Sequence, residues 1–251
     1  MPSSNNKPSS RSFGIKTDSS GRQIHVEISE KAGVQADNLS LATWGSSFIL
    51  SNILYRFTDH LHENSVGDFQ DAHTIPILEL GAGTGLVGLS ASLIWKRPVI
   101  LTDLAPILPG LAQNLELNAS QLAAAGVEPS YGTLDWTSPT QLSIAQPGDA
   151  DDIVLKSANS KAQVIMAADT CYSDEHPELM VQTIQAWLAA GPTARVFITY
   201  AQRVAYLDAI RELWERLETA GLECFDYGCE VGDDHWDESA PFEWTVWRWK
   251  M

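Results

Sequence analysis

The chain has 251 residues, of which 44% are hydrophobic and 19% charged, enough apolar material for one sizeable α/β domain and unlike a disordered composition. Its 32 acidic against 16 basic residues give a net charge of -16, which repels phosphate backbones and argues against direct nucleic-acid binding, while suiting a basic protein or simply solubility. Three cysteines without regular spacing, Cys171, Cys224 and Cys229, make no disulfide framework and point to a reducing compartment; no apolar run is long enough to span a membrane.

Residues 1–12 are rich in Ser, Asn and Pro and read as a disordered tail with no apolar signal region. Ile24, Val26 and Ile28 alternate with polar residues and predict a short strand. Over 39–60, Trp44, Phe48, Leu50, Ile53, Leu54 and Phe57 recur at helical spacing, and a polar stretch follows over 62–74.

From there strands and helices alternate. Strands are expected at 75–80, 99–102, 130–134, 164–167 and 195–200, with helices at 86–95, 107–125, 177–190 and 204–220. This alternation predicts a mostly parallel sheet covered on both faces. Two last strands, 222–228 and 243–249, have no helix between them and should form an antiparallel hairpin at one edge. Trp247 and Trp249 fall on one face of the final strand and Trp244 on the other, a pattern read mainly as core packing. The polar segment 137–161, with Pro139, Pro147, Asp149, Asp151 and Asp152, reads as a long connection. No internal repeat or second domain is apparent, so 13–74 is expected to pack as an extension on a core spanning 75–251.

The densest chemical signal is Glu79-Leu80-Gly81-Ala82-Gly83-Thr84-Gly85, at the junction of a strand and a helix. Glycines there permit a sharp bend and close approach of backbone to ligand, at the strand end where open α/β sheets bind their ligands. Gly83, Gly85 and Gly88 also fit the dinucleotide pattern, with Asp103 about 20 residues on as a ribose-binding acid. Context argues the other way: the strand leading into the turn begins only at Ile75, and there is no Tyr-x-x-x-Lys hydride-transfer constellation.

Several segments in the right order resemble the class I, seven-strand S-adenosylmethionine-dependent methyltransferases, and within them the family 16, or Asp-x-x-Tyr, protein-lysine methyltransferases. They are Trp44-Gly45-Ser46 ahead of the glycine turn, Leu78 to Gly88, Thr102-Asp103-Leu104 followed by Asn114 and Asn118, Leu134-Asp135-Trp136, and Ala168-Asp169-Thr170-Cys171-Tyr172. The resemblance implies a Rossmann-like seven-stranded sheet and S-adenosylmethionine as cofactor, with S-adenosylhomocysteine as product; no His or Cys grouping has metal-ligand spacing, so no metal is expected. Gly81, Ala82 and Gly83 would line the methionine part, beside Glu79. Asp103, with Leu104 next to it, would hold the ribose hydroxyls, since a carboxylate accepts two hydrogen bonds. Asp135 and Trp136 would flank the adenine, and Trp44 and Ala168 would complete the pocket. Asp169 and Tyr172 would stand beside the transferred methyl as the catalytic pair, orienting a lysine nitrogen.

An ionised Asp169 would by itself raise the lysine pKa, so orientation rather than proton removal is its expected work. Arg203 stands where the family often opens the next helix with an arginine and is given no catalytic role; the six histidines are given none either. The acidic segment 230–238 (Glu230, Asp233, Asp234, Asp237, Glu238) reads as the solvated loop of the terminal hairpin. The expected function is methyl transfer to a lysine of a protein such as a translation elongation factor or chaperone, in the cytoplasm, by a monomer without nucleic-acid or membrane partners. The alternatives are a small-molecule N-methyltransferase, a nicotinamide-dependent oxidoreductase and a binding module that has kept the fold.

Overall fold

The computed structural model describes residues 9–30, 42–58, 74–148, 150–232 and 240–251. The chain opens with an antiparallel hairpin, β1 (Ser9–Lys16) and β2 (Gln23–Glu30), followed by α1 (Gly45–Ile53), which tightens into a 3₁₀ turn at Leu54–Phe57. Next come β3 (Thr74–Leu80), α2 (Leu86–Trp95), β4 (Val99–Asp103), α3 (Leu108–Leu117), α4 (Ala119–Ala125) and β5 (Ser130–Thr133). The second half carries β6 (Gln141–Ile144), β7 (Ile153–Lys156), β8 (Lys161–Ala168), α5 (His176–Trp187), β9 (Arg195–Ala201), α6 (Leu207–Thr219), β10 (Leu222–Glu230) and β11 (Phe242–Trp249).

Among the described residues one sheet of nine strands runs β10-β11-β9-β8-β3-β4-β5-β6-β7. Its centre, β5-β4-β3-β8-β9, is parallel, and an antiparallel pair is added at each end. The α/β class, the parallel core and the terminal hairpin are as the sequence implies. Central strands are covered on both faces, so they read as unbroken apolar runs. Leu78, Ile165 and Val196 pack with Trp187 and Trp247 on the α5–α6 side. Their neighbours Ile77, Val164 and Phe197 pack with Trp95 and Trp244 on the other. The alternation places Trp244 and Trp247 on opposite faces, both in core, as expected.

The chain builds β3, β4 and β5 in one direction, then returns to lay β8 on the other side of β3. That reversal opens a crevice past the ends of β3 and β8, where ligands of such sheets bind.

Four expectations need correction. Residues 9–12 of the supposed tail form the first half of β1, whose Phe13 and Ile15 are buried against Leu86 and Leu89; residues 1–8 lie outside the described residues. The segment 137–161 is no loop throughout: β6 and β7 extend the sheet from seven strands to nine, with Leu142 and Ile144 buried and the alternate positions solvated. β6 and β7 have only four residues each, and Ile153 and Val154 of β7 are exposed, so neither shows a periodicity long enough to read. The helix read over 39–60 begins only at Gly45 among the described residues, and that over 107–125 breaks at Asn118. The polar stretch 62–73 lies outside the described residues, as do Asp149 and 233–239 of the terminal loop.

At the break, the Asn118 side chain is engaged across to the N-terminal hairpin. Its Oδ1 accepts the Glu27 N–H at 3.0 Å and its Nδ2 donates to the Glu27 carbonyl at 2.7 Å, so one amide replaces a strand along β2. One turn earlier Asn114 accepts the Ser29 N–H at 2.8 Å and donates to the Thr84 carbonyl at 2.8 Å. Both are buried and bind the N-terminal hairpin to the core. Asn118→Ala strands both backbone groups of Glu27, and a loss of about 1–3 kcal/mol is expected in urea unfolding. An unchanged midpoint would show that water replaces the amide without cost.

Candidate active site

β3 ends in a turn whose glycines adopt left-handed conformations, φ 62° at Gly81, 54° at Gly83 and 81° at Gly85. The space matters as well as the angle: a Cβ on Gly81 would come within 2.8 Å of Thr170 and 3.4 Å of Trp136. The turn is held by backbone bonds from Ala82 N–H to the Thr102 carbonyl, 2.9 Å, and from Gly85 N–H to the Ala82 carbonyl, 2.7 Å. Asp103, at the end of β4, accepts the Gly83 N–H at 2.8 Å through Oδ2 and its neighbour Leu104's N–H at 2.8 Å through Oδ1. Burial pushes its carboxyl above the ordinary value, and the two N–H groups oppose that.

Over this turn lies a cavity of about 650 Å³, within the ordinary range for small-molecule sites. Eleven of the twelve residues singled out from sequence line it: Gly81, Ala82, Gly83, Asp103, Leu104, Asp135, Trp136, Trp44, Ala168, Asp169 and Tyr172. The exception is Glu79. It is buried beneath the turn, its Oε2 accepting the Gly88 N–H at 3.0 Å, and it does not line the cavity. Burial raises its carboxyl to about 8, with the Asp103 charge adding to the effect. Gly88, third glycine of the dinucleotide pattern, is thereby turned away from any ligand. A groove of about 730 Å³ between α5 and α6 is larger but is a charged surface lined by Glu178, Glu212 and Arg216, and none of the twelve residues reaches it.

Trp44 enters the site as the residue before α1, tied in place through its neighbour: Thr43 Oγ1 lies 2.9 Å from Thr84 Oγ1 in the glycine turn. Asp135 turns its Oδ1 to the Thr137 N–H and hydroxyl, at 2.9 and 2.7 Å. Tyr172 is half exposed and lies edge-on to the His176 ring, with centroids 4.4 Å apart; its N–H donates to His176 Nδ1 at 3.3 Å. His176 in turn meets the Trp136 ring at 6.0 Å. Burial lowers the imidazole's pKa, which favours the neutral ring that can accept that N–H. Burial, then the charges of Asp103 and Asp169, raise the Tyr172 phenol, keeping it protonated.

Asp169 follows the last residue of β8 and adopts φ 57°, a left-handed conformation that costs a non-glycine residue energy and clusters at functional sites. Its carboxylate is gripped by Arg203 through two parallel bonds, Nη1 to Oδ1 at 2.8 Å and Nη2 to Oδ2 at 2.9 Å. Only 9% of the Asp169 side chain is exposed, and the guanidinium stacks over Trp44, 5.5 Å from the ring centroid. Behind Arg203 the end of β9 is stiffened by the bonds Trp214 to Tyr200 and from Tyr200 and Gln202 to Glu243.

His176 and Arg203 are thus the residues that sequence reading left aside and the fold brings in. Arg203 had a usable signal. β8 and β9 are parallel neighbours, paired Ala168 with Thr199, so residues just beyond their ends must meet. His176 had none: its role depends on a loop geometry that no periodicity encodes.

Among the described residues no cluster of His, Cys, Asp and Glu could hold a metal ion, and no helix is long and apolar enough to cross a membrane. A family model described as lysine methyltransferase matches residues 22–213. The chain is 32% identical over 237 residues to the protein-lysine N-methyltransferase EFM2 of Saccharomyces cerevisiae, covering 90% of this chain and 51% of that protein. It is 28% identical over 214 residues to the protein-lysine N-methyltransferase rrg1 of Schizosaccharomyces pombe, covering 85% of this chain and 63% of that one. The chain therefore spans between about half and under two thirds of these curated relatives. A solved structure of a candidate RNA methyltransferase from Pyrococcus horikoshii superposes with a TM-score of 0.55 at 12% identity, covering 89% of this chain and 94% of that one, a likeness of fold.

The buried Glu79 gives the fold a pH signature. The unfolded chain releases this proton near the ordinary carboxylate value of 4.5 and the folded one only at about 8. Between those values the folded state holds the extra proton, so Glu79 makes stability fall as pH rises. Glu79→Gln keeps an acceptor for Gly88 without the charge. Its melting temperature should drop less than the parent's between about pH 5 and about pH 8; parallel curves would refute the assignment.

Proposed function

This chain belongs to the lysine methyltransferase family, and from that premise we propose that it transfers the methyl group of S-adenosylmethionine to a lysine ε-amine of another protein. The observation that supports this reading is the convergence of eleven motif residues, drawn from five separate segments, on one cavity at the crevice of the sheet. The residues fit the cofactor. Gly81 leaves space that a side chain would fill, and Asp103 keeps lone pairs for ribose hydroxyls beyond the two N–H groups it accepts. Leu104 and Trp136 offer apolar and aromatic surface to an adenine, and Trp44, Gly81, Ala82 and Ala168 would enclose the rest.

Bound there, S-adenosylmethionine supplies an electrophilic methyl carbon on a positively charged sulfur. The lysine nitrogen must arrive neutral and in line with the carbon–sulfur bond, at about 3–3.5 Å. Its lone pair forms the nitrogen–carbon bond while the carbon–sulfur pair stays on sulfur, and the surplus proton on nitrogen leaves to water. Asp169 and the protonated Tyr172 phenol at the cavity mouth would aim the amine. The half-buried site keeps bulk water away and so disfavours the ammonium form. The acidic chain suits a basic protein surface as acceptor, and translation elongation factors and chaperones are the acceptors that the resemblance implies.

Two measurements test this. Calorimetry should detect S-adenosylmethionine binding, weakened about 10–100-fold by Asp103→Ala, the loss expected for removing hydrogen bonds to an ionised acceptor. With radiolabelled S-adenosylmethionine and an extract from cells lacking the enzyme, one or two protein bands should take up label. Asp169→Ala should abolish that label while still binding S-adenosylhomocysteine. Label confined to small molecules would replace the protein acceptor with a small amine, and absence of cofactor binding would overturn the reading altogether.

A further inference from the structure

The acceptor end of the cavity poses an electrostatic conflict. A bare carboxylate beside the target nitrogen stabilises the ammonium, which cannot attack, and an opposite charge within about 4–6 Å shifts a pKa by about 1–3 units. The structure removes the conflict with a resident cation. Both oxygens of Asp169 are held by Arg203, at 2.8 and 2.9 Å, in a pair whose members are 9% and 23% exposed at the side chain. Each oxygen retains a lone pair, so the carboxylate can still receive a hydrogen bond while the guanidinium offsets its charge. The stack of Arg203 on Trp44 and the left-handed backbone of Asp169 show that the two groups are fixed toward each other by their surroundings.

We propose that Arg203 is a positioning residue that neutralises and orients Asp169, so that the acceptor pocket aims the lysine nitrogen without stabilising its proton. The inference rests on the proposed methyl transfer and adds to it the control of amine protonation. Among the described residues, the other charged or titratable groups facing the cavity are Asp103 after β4, Asp135 after β5, Tyr172 and His176 around the start of α5, and Tyr206 beyond Arg203. Asp103 and Asp135 both spend carboxylate oxygens on backbone N–H groups of their own segments or the glycine turn. None of these groups is altered in the variants below, so the charge removed in them is that of Arg203 or Asp169.

The first test needs no acceptor. Removing the guanidinium leaves Asp169 uncompensated, which favours the positively charged sulfur of S-adenosylmethionine over the neutral sulfur of S-adenosylhomocysteine. The ratio of the two calorimetric affinities should shift toward S-adenosylmethionine by about tenfold in Arg203→Met, the equivalent of about one pK unit. It should stay near the parent value in Arg203→Lys, which keeps the charge, and return in the double variant Asp169→Asn/Arg203→Met. The second test follows label transfer into the acceptor band against pH. The limb on which rate rises with pH should move up by about one unit in Arg203→Met, with the rate recovering at high pH. A purely structural role predicts instead equal loss in Arg203→Lys and Arg203→Met, an unchanged affinity ratio and a lowered plateau with no displacement, and that result overturns the inference. If the parent protein binds neither cofactor form, methyl transfer itself is refuted and this proposal falls with it. If the parent binds and transfers while the variants match its ratio and its profile, only the role of Arg203 is refuted.

Discussion

The structure around the cavity depends on keeping a glycine-rich turn in place. Three glycines in left-handed conformations cannot hold that shape alone, because glycine has more backbone freedom to lose on folding than any other residue. Two carboxylates fix it from opposite sides. Asp103 reaches from β4 to the Gly83 N–H, and Glu79 reaches from β3 to the Gly88 N–H at the start of α2. They meet different environments: Asp103 faces the cavity and keeps capacity for a ligand, whereas Glu79 is sealed below it and holds its proton well above the ordinary range. Both acids make structural bonds to the turn region, and only Asp103 also lines the cavity.

The N-terminal extension is part of the same constraint. Glu30, at the end of β2, accepts the Thr43 N–H at 3.0 Å; Thr43 meets Thr84 in the glycine turn; and Asn114 ties both Ser29 and the Thr84 carbonyl to α3. This chain of bonds runs from the hairpin to the cavity and sets Trp44 on its wall. The asparagines following the Asp103 motif therefore do not line the cavity. They complete the edge of β2, whose N–H and carbonyl groups would otherwise be buried without partners.

What the sequence made legible follows from how much of each signal is local. The strands β3, β4, β8 and β9 are buried on both faces and stand out as apolar runs, and the glycine turn and Asp-x-x-Tyr segment are contiguous. Eleven of twelve candidate residues reach one cavity because parallel strands deliver their ends to the same side. Glu79 was drawn in by its place at the strand end, yet side chains alternate along a strand and burial rather than position decides its work. β6 and β7 are only four residues each, and in β1 just Phe13 and Ile15 alternate as buried apolar positions, so their signal is too brief to read. The Asp169–Arg203 pair joins residues 34 apart and emerges only when β8 and β9 are laid side by side.

On the proposed methyl transfer, that pair would also separate two electrostatic demands that a single charge could not meet. A cationic acceptor is drawn from a distance by excess negative charge, and the chain carries 32 acids against 16 bases. At the reacting atoms the same sign would be a handicap, since it would hold the proton on the nitrogen that must attack. Surface charge is screened over about 10 Å in ordinary salt, so the field that attracts the acceptor and the field that sets its protonation can be built independently. The acids of the surface would supply the first. A carboxylate gripped at both oxygens by Arg203 and lining the cavity would supply direction without the second penalty.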